Sequence, residues 1–94
     1  VNVDTAFLGL IVRANQSVVG DRLMNAIQKQ RVHVVLISAA ASPRSAKQLR
    51  DKCDFYRIAW IDAIPPHVFD TVFAQPIAAV GVLDANMAKR VVQK

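Results

Sequence analysis

The chain is predicted to be an α/β protein, a three-layer α/β/α sandwich around a small mixed central sheet. Two observations lead there. Helical and strand-like patterns alternate along the whole length. The run VHVVLIS (32–38) is apolar and β-branched almost throughout, as expected of a strand covered on both faces. Alternating elements of this kind imply helices on both faces of a sheet.

Taken in order, Asp4 can cap a first helix that carries Phe7, Leu8, Leu10, Ile11 and Ala14. Val18 and Val19 form a very short strand before Gly20. A second helix follows, with Leu23, Met24 and Ile27 at core spacing. After the strand at 32–38, Ser42 and Pro43 give a strong helix start: a hydroxyl cap, then a proline that needs no N–H. The third helix puts Ala46, Leu49, Cys53 and Tyr56 on one face. IAWID (58–62) reads as a short strand. Pro65 and Pro66 open a fourth helix with Val68, Phe69, Val72 and Phe73. IAAVGVL (77–83) is the last buried strand, and the final helix carries Met87, Val91 and Val92. The 94 residues suit one domain, 1–94, with no linker or repeat.

The charge balance points to a partner. Twelve Lys/Arg stand against seven Asp and no Glu, for a net charge of +5. A basic balance in a small domain favours an anionic partner, most often nucleic acid. The cations are spread along the chain, so any patch must be assembled by the fold. No apolar run reaches the ~18 residues of a membrane helix. The first residues show no signal-peptide pattern, and the single Cys53 cannot form an internal disulfide; cytoplasm is the expectation.

Catalytic chemistry finds little support. His33, inside the predicted strand, and His67, at a helix start, have no Cys, His or carboxylate at metal-ligand spacing. Cys53 reads as a small core residue. Gly9, Gly20 and Gly81 follow no phosphate-loop pattern. Asp51, Asp54 and Asp62 read as surface charges, with Arg50 and Asp54 a weak pair one helical turn apart. No catalytic residue, metal or cofactor is expected.

From Arg31 to Tyr56 the pattern becomes more specific. A strand, a short Ala-Ser loop and a helix ending Asp51-Lys52-Cys53-Asp54-Phe55-Tyr56 resemble the YlxQ-type bacterial proteins. These are relatives of the archaeal ribosomal proteins that bind kink-turn RNA, the ribosomal L-seven-Ae superfamily. Leu8-Gly9-Leu10, Arg13-Ala14, Gly20-Asp21, Ala26-Ile27, Val80 to Asp84 and Ala88-Lys89 resemble the family in the same order. The similarity runs over about residues 7–92, and only the hexapeptide DKCDFY is distinctive.

The resemblance implies a non-catalytic RNA-binding protein, ribosome- or RNP-associated, that holds structured RNA between the start of the second helix and the loop after the strand at 32–38. The positions that would carry this are Gly20, Asp21, Arg22, Asn25, Ala41 and Ser42, with Arg44, Lys47 and Arg13 available for phosphate. Several positions depart from the family. Asn25 stands where a lysine is usual, and Gly20 to Ile27 is one residue short. Ala39-Ala40 replace an acidic pair, and Phe73-Ala74 replace a Gly-Lys turn. Arg22 can supply the missing cation from a neighbouring position. The alanine loop reads three ways: as the floor of a nucleotide pocket, as the remnant of a site that has lost its recognition groups, or as packing beneath a turn. A second function class follows from the departures. Phe69, Phe73 and the alanine loop would form an apolar patch for a protein partner or for self-association.

Overall fold

In chain order the elements are β1 (Asn2–Val3), α1 (Thr5–Arg13), β2 (Ser17–Val19), α2 (Asp21–Gln28), β3 (Val34–Ser38), α3 (Pro43–Phe55), β4 (Ala59–Ile64), α4 (Pro66–Val72), β5 (Ala79–Val82), α5 (Ala85–Val91) and β6 (Val92–Gln93). The computed structural model describes residues 2–3, 5–73 and 77–93. The capping role assigned to Asp4, and Ala74 of the Phe73-Ala74 pair, lie outside them.

The main sheet has the order β2-β5-β3-β4. Only β3 and β4 run parallel; β5 is antiparallel to both β2 and β3. The sheet is therefore mixed. β1 and β6 pair separately, Val3 with Val92. Val92 thus belongs to this ribbon and not to the final helix.

All five residues of β3 are buried, and their alternation divides the core. Val34 and Leu36 face one side with Leu8, Ile11, Val68, Phe69 and Ala88 of α1, α4 and α5. Val35 and Ile37 face the other with Leu23, Ala26, Ile27, Leu49 and Cys53 of α2 and α3. This is the expected three-layer sandwich. Gly81 lets α2 lie close to the sheet: a Cβ there would stand 2.6 Å from Leu23 Cδ1 and 3.0 Å from Val32 Cγ1.

Three helices end in the same way. After α1, α2 and α3 the N–H groups of Gln16, Arg31 and Ile58 donate to the carbonyls of Ile11, Ala26 and Cys53. Those of Asn15, Gln30 and Arg57 donate to Val12, Ile27 and Asp54. These are Schellman motifs, and their left-handed residues are Asn15 (φ 58), Gln30 (φ 56) and Arg57 (φ 59). Glycine is usual there, and a residue with a Cβ costs about 1–2 kcal/mol in that conformation. A fourth left-handed residue, Ala63 (φ 58), is the extra residue of a bulge in β4, between the pairs Leu36–Ile61 and Ser38–Ile64.

Cys53 is fully buried. Burial, with the Asp54 carboxylate adding, pushes its thiol up to about 11 from 9.0. The folded protein thus holds the thiol proton more tightly than the unfolded chain. That contribution is complete below pH 9 and is lost as pH rises from about 9 to about 11, with a slope of roughly 1.4 kcal/mol per pH unit. The expected result is a fall in the urea midpoint over this window that is shallower in Cys53→Ala.

Candidate nucleic-acid interface

One end of the sheet gathers the start of α2, the loop after β3 and the start of α3. β2 runs into Gly20 beside the beginning of β5, since Val19 pairs with Val80. β3 leaves the sheet at the same end, where the Ser38 N–H donates to the Ala78 carbonyl at 2.8 Å. A cleft of about 430 Å³ opens between these segments. Gly20, Asp21 and Met24 line it from α2, Ser45 and Gln48 from α3, and Ala78 from the sheet.

The α2 side is shaped by Gly20 (φ 62, ψ −138). This backbone region is essentially restricted to glycine. No side chain caps the helix there; the Leu23 N–H donates to the Gly20 carbonyl at 3.0 Å, which leaves the amides of Asp21 and Arg22 as the helix start's free donors. Asp21, Arg22 and Asn25 are all exposed on this helix.

The loop after β3 is held by its own backbone and by one serine. The Ala39 N–H donates to the Ile64 carbonyl at 2.7 Å and the Ala41 N–H to the Ser38 carbonyl at 3.1 Å. The Ser38 hydroxyl, itself buried, accepts the Ala40 N–H at 3.0 Å. Ala39 and Ala40 are exposed, while Ala41 rests against the α2–α3 core. Only Ala41 therefore packs beneath the turn. The first two alanines present methyl groups and backbone to solvent.

Ser42 begins α3 as the sequence suggests. Its Oγ accepts the Ser45 N–H at 3.2 Å and donates to Ser45 Oγ at 3.0 Å. Ser42→Ala is expected to lower stability by about 1 kcal/mol, read as a lower urea midpoint. Arg44 and Lys47 are exposed on the first two turns. No acidic residue lies in the first turn of α3. Arginine in the first turn of a helix opposes the helix dipole, so helix stability does not account for Arg22 or Arg44.

Arg13 does not join this group. It ends α1, and the turn after it leads into Ser17, which pairs with Val82 at the far end of the sheet. Ser38, Ser45, Gln48 and Ala78 border the cleft region but are not among the residues singled out from sequence. Ser45 and Gln48 had a legible signal, being one and four residues beyond Arg44 on the same helix. Ala78 had none, because its position depends on β5 inserting between β2 and β3.

Other expectations change. Phe69 is 1% exposed, at the centre of the α1–α4–α5 core, and Phe73 packs against that core. The apolar patch expected from Phe69, Phe73 and the alanine loop therefore does not form. Arg50 does not pair with Asp54. It reaches Asp62 at 3.4 Å and lies 5.8 Å from the centre of the Trp60 ring. Asp54 instead accepts from Trp60 Nε1 at 2.9 Å. His33 precedes β3 and is exposed. Among the described residues no group of three or more His, Cys, Asp or Glu could hold a metal, and no helix is long and apolar enough to cross a membrane.

No protein-family model matches the chain. Over 54 residues it is 37% identical to the RNA-binding protein YlxQ of Bacillus subtilis (strain 168). That match takes in 56% of this chain and 54% of that protein, so the chain spans about half the length of the curated relative it matches. A solved structure of a protein with unknown function from Bacillus halodurans C shares the fold: TM-score 0.84 at 27% identity, covering 93% of this chain and 90% of that one.

Proposed function

We propose that this protein binds structured RNA, without catalysis, through the edge formed by the start of α2 and the β3–α3 loop. One observation carries the reading. The uncapped start of α2 and the first turns of α3 wall one cleft, and the exposed alanines of the β3–α3 loop and the exposed cations Arg22, Arg44 and Lys47 lie on the segments that meet at that same end of the sheet. Each part has a use on RNA. Amides at a helix start bind phosphate, and arginine and lysine add charge there. Alanines allow a splayed base to approach the backbone, and RNA recognition favours such unpaired nucleotides. Asp21 only accepts hydrogen bonds, so it suits the amino groups of bases; Asn25 can both donate and accept. The net charge of +5 and the likeness to a protein named as RNA-binding support the same reading.

The RNA form we infer is a kink-turn or a similar rRNA-like bend with an unpaired nucleotide, in a ribosomal or other ribonucleoprotein setting in the cytoplasm. The test is a titration of the protein against a kink-turn RNA and a matched straight duplex at two salt concentrations. Preference for the kink-turn that survives the higher salt is expected. With about three phosphates neutralised, log affinity should fall against log salt with a slope of roughly −2 to −3. Equal, strongly salt-dependent binding to both RNAs would leave only the net charge at work and would sink this reading.

A further inference from the structure

The opposite end of the sheet has a surface of its own. Ser17, Val82, Val34 and Ala59 lie side by side in register. The three Schellman turns that feed β2, β3 and β4 therefore emerge together at this end, with neighbouring strands about 4.8 Å apart. They bring Arg13, Lys29, Arg31 and Arg57 to one side of the molecule, all exposed. β3, roughly 15 Å long, separates this side from the α2–α3 cleft.

Two carboxylates at this end are hydrogen-bonded, while Asp51, one turn before Phe55 on α3, is exposed. Asp54 accepts from Trp60 Nε1, and Asp84 accepts the Met87 N–H at 3.0 Å. Among the described residues the one ion pair is Arg50–Asp62, so these four cations have no carboxylate partner. Beside them stands Phe55, the last residue of α3, 78% exposed. Its ring is braced edge-on against Tyr56, with centroids 4.9 Å apart and planes at 84°. Basic residues at helix ends complement the helix dipole, but the dipole accounts neither for a phenyl ring in water nor for an arginine held at φ 59. An exposed aromatic among unpaired cations is the arrangement that holds single-stranded nucleic acid, with bases on the ring and phosphates on the cations.

We propose that this end is a second RNA surface: a single-stranded segment stacks a base on Phe55 and lays its phosphates along Lys29, Arg31 and Arg57, with Arg13 at the margin. The protein would then join two RNA segments, a structured one at the α2–α3 edge and an unpaired one here.

The test is fluorescence anisotropy with a labelled uridine decamer, run beside the kink-turn RNA. Phe55→Ala is expected to weaken decamer binding about tenfold. Arg57→Gly is expected to weaken it severalfold while the melting temperature holds or rises, because glycine suits the left-handed backbone. Both variants should bind the kink-turn RNA as the wild type does, and Arg22→Glu/Arg44→Glu should bind the decamer as the wild type does. Decamer binding unchanged in Phe55→Ala and Arg57→Gly, or lost only in Arg22→Glu/Arg44→Glu, overturns the second surface. No decamer binding at all overturns it too, as does preference for a polyglutamate peptide over the decamer, which would make the partner an acidic protein. Failure of kink-turn binding alone overturns the first site and leaves this one standing.

Discussion

Phe69→Ala is expected to destabilise the protein by about 3–5 kcal/mol, more than any other single substitution considered. Phe69 is the largest fully buried side chain of the described residues, and Leu8, Ile11, Leu36, Val68 and Val80 share its cluster. These neighbours come from α1, α4 and two strands, so no single element can close the cavity by shifting. Domains of this size are stable by about 5–15 kcal/mol; the loss would take a large share of that. Urea denaturation followed by far-UV circular dichroism measures it. Phe55→Ala is the control: at 78% exposure its stability should change by no more than about 0.5 kcal/mol. If the two variants melted alike, Phe69 would not be a core residue, and the apolar patch expected from sequence would be restored.

Phe69 also shows where sequence reading loses resolution. HVFDTVF at 67–73 has a helical apolar stripe, and a stripe does not say whether it meets the core or a partner. That depends on α1 lying across α4, which is a matter of tertiary packing. By contrast, the continuous apolar run of β3 and the Ser42-Pro43 start of α3 were legible because each is local: burial on both faces leaves no polar alternation, and a cap needs only one side chain and the next turn. Helix ends were harder. All three Schellman motifs lack glycine, so the usual signal was absent, and the left-handed Gln30 and Arg57 could not be read. Strand direction was similarly hidden. Nothing in IAAVGVL indicates that its strand inserts between β2 and β3 and runs antiparallel to both. The candidate interface followed the same division. Gly20, Ala41, Ser42 and Arg44 enter through the family resemblance, and each sits where a local element ends; Arg13 joins them on charge alone, and only the register separates it.

The double variant Arg22→Glu/Arg44→Glu is expected to weaken binding to the kink-turn RNA by about 100-fold or more, as attraction to phosphate becomes repulsion at two positions. The fold should not suffer. Both residues are exposed and occupy the second position of their helices. Glutamate there favours the helix dipole, which arginine opposes, by about 0.3–1 kcal/mol at each site. Stability should therefore hold or rise while affinity falls, and a mutation that merely damaged the protein could not produce that combination. The measurement is a paired one: RNA affinity at fixed salt, and the urea midpoint of the same samples. The salt slope should become shallower by about one unit for each phosphate contact removed. Wild-type affinity in a fully folded double variant would remove the α2–α3 edge from RNA binding. A collapsed urea transition would instead assign the two arginines to the fold. The opposed signs decide between function and stability because, at a helix start, the charge that suits RNA is the one that does not suit the helix.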